Sequence, residues 1–208
     1  MTLSARLAAI GRWFRPGPID TAAGLQAFLD ERAAFVAQKT IVAYCQMKTR
    51  VHLPELLKDK PFAEAFERSR WESFAIALSD LMIIVDGDLR TGLEDDAAET
   101  LADRVRAMYR AVLNGYPRPA YRADGWGDAF EAFDRRLAVA RLAPPKPVRE
   151  IASHAAKQIF DLLPIHPSLR AKDAMSVEGG VHFLIAAALD ALSHRMRRDA
   201  VLADLLGG

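Results

Sequence analysis

Apolar side chains along this chain recur at spacings of three and four, and almost nowhere do they alternate with the period of two that a half-buried strand requires. Prolines and glycines fall between the periodic segments. The pattern predicts an all-α, single-domain irregular helical bundle of about seven or eight helices. After the Pro16-Gly17-Pro18 break, Asp20 or Thr21 can cap a long helix running to about Arg50, with Leu25, Phe28, Leu29, Val36 and Val42 inward. A turn through His52 to Pro54 follows. Pro61 suits the first turn of a second long helix, where its missing N–H would have had no intrahelical partner, and that helix is expected to reach Val85 and end at Asp86-Gly87-Asp88. A third starts in the acidic run Glu94-Asp95-Asp96 and closes with Arg104, Arg106 and Arg110 before Gly115, an order of charges that complements the helix dipole. Residues 115–127, rich in Pro, Gly and aromatics, form the best candidate for an internal sub-boundary. Beyond it the pattern predicts helices over 128–142, 148–163, 176–196, the last capped by Ser176, and a short one to Leu206. Residues 1–18 read as a basic amphipathic helix and a Pro/Gly linker, and 19–208 as the bundle domain.

The segment from Trp71 to Val85 is apolar on both faces, with Trp71, Phe74, Leu78, Met82 and Val85 on one and Ile76, Ile83 and Ile84 on the other. It is expected to be buried all round. Asp80 then has Ile76, Ala77, Ile83 and Ile84 as neighbours, and a carboxylate so placed must be paired, hydrogen-bonded or neutral. Lys39 and Arg32 sit in similar apolar surroundings on the first long helix, so the plain expectation is a buried ion pair between these two helices. The sharper one is a polar ligand pocket drawing on Lys39, Asp80, Glu178 and His182. Glu178 and His182 share a helical face at i, i+4. The plainer reading of His182 is a core histidine bonded within its own helix, with Gly179-Gly180 letting another helix pack closely there.

Composition narrows the classes. With 28 Lys plus Arg against 27 Asp plus Glu in 208 residues, the chain lacks the basic excess that nucleic acid demands. A single cysteine, Cys45, forms no internal disulfide and supplies too little thiolate for structural zinc, which suits a reducing, cytoplasmic location. Beside Ile41 and Val42 it reads as a small core residue rather than a nucleophile. Arg6, Arg12 and Arg15 stand among Leu3, Leu7, Ile10 and Phe14 with no acid before Asp20, so the N-terminal helix can meet an anionic membrane surface or a partner groove through Arg12, Trp13, Phe14 and Arg15, or fold onto the bundle itself. Arg6 and Arg12 interrupt any secretory apolar centre, and the runs 74–85 and 181–189 are too short to span a bilayer.

No G-x-S-x-G, Walker, H-E-x-x-H or C-x-x-C motif occurs. The acids around Asp86 and Glu94 fit no cation-binding loop, and Glu178/His182 lacks the glutamates of a di-iron bundle, so no metal and no cofactor is expected. The functional expectation is a non-catalytic adaptor or assembly-factor-like protein acting through a protein partner, with peripheral membrane contact as one mode and no nucleic acid. The alternative is an enzyme or small-molecule binder using the polar pocket. A homodimer through the Trp71–Val85 helix is compatible with either.

Overall fold

A computed structural model of the chain describes residues 17–49 and 52–207. The proposed membrane or partner contact at Arg12, Trp13, Phe14 and Arg15 lies outside the described residues. Among the described residues there are nine helices and no strand: α1 (Ala22–Thr49), α2 (Leu53–Leu56), α3 (Lys60–Arg90), α4 (Asp95–Asn114), α5 (Gly127–Arg141), α6 (Val148–Leu162), α7 (Pro167–Arg170), α8 (Ala174–Ser193) and α9 (Arg198–Gly207). The all-α bundle expected from the periodicity is the fold, with seven helices of two turns or more and two single turns at Pro54 and Pro167.

Local chemistry accounts for where these helices begin. Thr21 Oγ1 accepts the Gly24 N–H at 3.1 Å, satisfying one of the donors that the first turn of α1 leaves unpaired. Asp59 does the same for α3, its carboxylate accepting the Phe62 N–H at 3.0 Å, with Pro61 in the first turn. Helix α4 ends at Gly115, as the position of that glycine foretells. Helix α3 does not end where expected. It runs through Asp86-Gly87-Asp88 to Arg90 because Gly87 is packed beneath Pro145, where an added Cβ would come within 3.2 Å of the proline ring. Here glycine is a packing residue, not a helix terminator.

Helix α3 is the axis of the molecule, packing on α1, α6, α4 and α5. Between Phe74 and Gly87 every side chain but Ile76 and Ile84 is buried, as expected from a segment apolar on both faces. That burial is satisfied within the chain by the helices packed around α3. Helices α1 and α8 run antiparallel. At one end Ile19 exchanges backbone hydrogen bonds with Arg195 and Arg197, both 2.8 Å, and at the other the Tyr44 hydroxyl donates to the Asp173 carboxylate at 2.7 Å. A main core surrounds α3, and a smaller cluster of Ile41, Tyr44, Cys45, Phe66, Leu163 and Val177 fills the far end.

Candidate functional site

Asp80 is fully buried and charged groups do converge on it, though not the expected ones. Its Oδ1 takes a salt bridge from Arg136 Nη2 at 2.6 Å and lies 3.2 Å from His154 Nδ1, while Oδ2 accepts the Ala155 backbone N–H at 2.8 Å. Arg136 also donates to Ser79 Oγ at 2.7 Å. Asp80 thus ties α3 to α5 and α6, and its saturation explains how a carboxylate survives without water. Lys39 and Arg32 have no part in this. Lys39 is exposed on α1, and Arg32 stacks over the Phe28 ring at 5.1 Å. The ion pair expected between the two long helices is therefore corrected to one between α3 and α5: apolar neighbours on a residue's own helix say that a partner must exist, not which helix supplies it.

The four residues of the expected polar pocket are not brought to one place. Lys39 borders an open groove and Asp80 is sealed inside its ion cluster. His182 is half-buried, with Nε2 3.5 Å from Ser153 Oγ on α6, and Glu178 lies one turn before it on the same side of α8. His182 is bonded across helices rather than within its own, and Gly179 and Gly180 face open space with no atom within 4 Å of an added Cβ. The close helix packing expected over these glycines is absent among the described residues.

That open ground belongs to a groove between α1 and α8 of about 330 Å³, lined by Lys39, Thr40, Ala43, Tyr44, Met47, Ser176, Val177, Gly180, Phe183 and Leu184. Its surface is dominated by carbon. Phe183 is 71% exposed, Met47 58% and, just beside it, Met175 87%, values that a globular chain rarely tolerates side by side. Helix α8 explains how this arises. It has 20 residues, with a mean hydropathy of 1.4 over an 18-residue stretch, and is the one described helix apolar and long enough to cross a membrane. Yet only Val177, Val181, Ile185, Ala188 and Leu192 are buried. Leu184, Leu189 and Ala191 are half-buried against the core, while Met175, Phe183, Ala186 and Ala187 face outward. At the closed end of the groove, Asp173 is held below the ordinary carboxylate range by hydrogen bonds from Lys48, whose ammonium is at 2.6 Å, and from Tyr44. Burial first, and Asp173 second, push the Tyr44 phenol up, so that end carries no free charge. The Thr40 hydroxyl in the lining is shielded and has no hydrogen-bond partner among the described residues. Lys39 on the rim makes no ion pair among the described residues.

A second crevice, about 380 Å³ and much more polar, lies against the 115–127 loop between Arg68, Glu72, Tyr121, Arg122 and Asp128. The charges of Glu72, Arg122 and Asp128 in it are spent on each other. Arg122 bridges Glu72 bidentately at 2.7 and 2.6 Å, meets Asp128 at 2.6 Å and stacks over Trp126 at 4.2 Å. Burial works against the guanidinium charge, but the two carboxylates outweigh it and raise the pKa of Arg122. This is the clasp that fastens the loop to α3. Among the described residues no three His, Cys, Asp or Glu side chains are grouped to hold a metal ion.

Sequence reasoning passed over Met47, Met175 and Phe183. Periodicity locates an apolar face only when the opposite face is polar, and on α8 it is not. The detectable signal was the surplus itself, a helix with more apolar residues than one core-facing stripe can use. Comparison with known proteins finds no matching family model, no matching curated protein and no matching solved structure.

Proposed function

We propose that this chain is a non-catalytic binding module that receives an amphipathic helix of a partner protein in the α1/α8 groove. The observation that carries this reading is that the exposed Phe183 and Met47 line one groove together with the bare Gly180, a surface that a helix with an apolar stripe covers. Covering each of these two side chains contributes at most about 1.5–3 kcal/mol, less than the cost of association, so the partner helix must bury further apolar surface along the groove. Lys39 on the rim selects a partner helix with an acidic residue flanking its apolar stripe. Asp80 and Arg122 are each saturated by neighbours, so these two groups serve the fold.

The test is a photo-crosslinking amino acid placed at Phe183 in cells, with the same residue at Val139 on α5 as a surface control. A partner captured only from position 183 is then purified and titrated against the wild type and Phe183→Asp. An affinity loss of tenfold or more supports the reading, and equal affinities overturn it. Reversible attachment to an anionic membrane through Arg12, Trp13, Phe14 and Arg15 is the competing mode, at about 1 kcal/mol for each basic residue near the surface. Co-sedimentation with phosphatidylserine vesicles, compared between the full chain and one beginning at Ile19, separates the two, since equal sedimentation of both removes the membrane mode.

A further inference from the structure

We infer that the partner helix is acidic and lies along α1, with carboxylates spaced seven and four residues apart that face Lys39, Arg32 and Arg195 in turn. This deepens the reading of the groove as a docking site and rests on it. The whole chain balances 28 Lys plus Arg against 27 Asp plus Glu, yet residues 32–49 of α1 carry Arg32, Lys39 and Lys48 and no acid. Lys48 is taken up by Asp173. The other two have no carboxylate within ion-pair distance among the described residues: Lys39 is exposed, and the Arg32 Nε–H is shielded with no hydrogen-bond partner among them. Arg195 gives its guanidinium only to a neutral acceptor, the Gly17 carbonyl, at 3.3 Å. On α8, Glu178 lies on the His182 side of the helix and Asp190 stands 3.7 Å from His194, so neither acid pairs with these cations.

The cations fall on a line. Arg32, Phe35 and Lys39 share one stripe of α1 at intervals of three and four, and Phe35 is 42% exposed between them. Phe28, one turn before Arg32, brings in the third charge: the Arg32 and Arg195 guanidiniums lie 5.1 and 5.4 Å from the centre of its ring. Along the axis, Lys39 to Arg32 is about 10 Å and Arg32 to Phe28 about 6 Å more. A helix packed alongside at a small angle has the same rise per residue, which sets its facing carboxylates seven and four apart. Shape favours a helix over an anionic lipid surface. The groove is concave with bare Gly180 in its lining, so a convex helix enters it where a flat bilayer would touch only the rims.

Three synthetic peptides of about 20 residues, long enough to run from Met47 to Phe28, test this by fluorescence anisotropy against the full chain. All carry one leucine stripe. The first has Glu at the seven-and-four spacing beside the stripe, the second has Gln there, and the third has the same number of Glu on the face opposite the stripe. The first is expected to bind about fivefold or more tightly than the other two at low salt, with the gap closing near about 0.5 M salt. Lys39→Gln and Arg32→Gln should each narrow that gap and leave the Gln peptide unaffected. Lys39→Gln, at an exposed position, carries the test by itself if Arg32→Gln loses its stacking on Phe28 and unfolds. Equal binding of the first two peptides overturns the inference, and so does equal binding of the first and third, since charge then acts without register. If Phe183→Asp weakens all three while Glu and Gln bind alike, the docking reading stands and the acidic register falls. If Phe183→Asp weakens none, the docking reading falls and takes this inference with it. Pelleting with phosphatidylserine vesicles that Phe183→Asp abolishes, with no peptide bound, assigns the face to lipid and also overturns it.

Discussion

Asp80 is accommodated at full burial because an arginine, a histidine and a backbone amide converge on its two oxygens, and the converse is that each of them is left without a partner by the loss of Asp80. In Asp80→Asn the Ala155 N–H can still be accepted, but Arg136 loses its counter-charge inside the protein, a change that costs about 3 kcal/mol when a buried pair is broken from one side. Urea titration is expected to show that loss with an unchanged slope, while binding at the groove stays as in wild type. A loss below 1 kcal/mol would mean that the cluster is not what joins α3 to α5 and α6. Cys45 makes the complementary case of a reactive group silenced by its surroundings. Burial raises its thiol to about 11 and shields it, so an aromatic disulfide reagent at pH 8 should label it only after unfolding. Native labelling at the rate of a free thiol contradicts the packing described for the far core.

Helix α8 separates stability from binding on its two sides. Ile185 is buried against the core, and Ile185→Ala is expected to cost about 3 kcal/mol by leaving a cavity. Phe183→Asp, two residues earlier and on the opposite, exposed side of the helix, should change unfolding by no more than about 0.5 kcal/mol. Gly180→Ala meets no atom and gains up to about 1 kcal/mol of helix propensity, yet it puts a methyl group where the partner helix must approach. Its expected signature is a rise in unfolding temperature together with weaker partner binding; a rise with unchanged binding would show that nothing packs closely on that glycine. The same helix marks how far the sequence could be read. Helix existence was legible from period and caps, as Thr21, Pro61 and Gly115 testify, because those signals are local. Gly87 misled because its neighbour Pro145 is distant in the chain, and Arg136 was missed as the partner of Asp80 for the same reason. The groove was invisible because it is a property of two helices meeting, and neither α1 nor α8 states alone which of its apolar residues the other will cover.

Acid should unfold the whole molecule through its salt bridges, and the signs can be assigned group by group. Asp173 is held low by Lys48 and Tyr44, and Asp128 by the Arg122 guanidinium. Both have folded pKa values below those of the unfolded chain, so their contribution is complete above the ordinary carboxylate value of about 3.9 and is lost as pH falls through the depressed values. Asp86 acts in the opposite sense. Burial raises its pKa despite Arg141 at 2.5 Å and Arg90 at 3.7 Å, so its contribution is complete below the unfolded value and declines as pH rises through the folded one. The net acid slope is thus the difference between clasps at opposite places in the molecule: Asp173 pins the end of α1 to α8, Asp128 holds the 115–127 loop to α3 through Arg122, and Asp86 lies where α3 meets α5. Thermal unfolding followed by circular dichroism between pH 5 and pH 2 should show a shallower fall in the Asp173→Asn/Asp128→Asn double variant than in wild type. Asp86→Asn should show a steeper one, whatever its stability at neutral pH. Parallel slopes in all three proteins would mean that these clasps are already open before the bundle gives way, and that burial of apolar surface around α3 alone sets the limit.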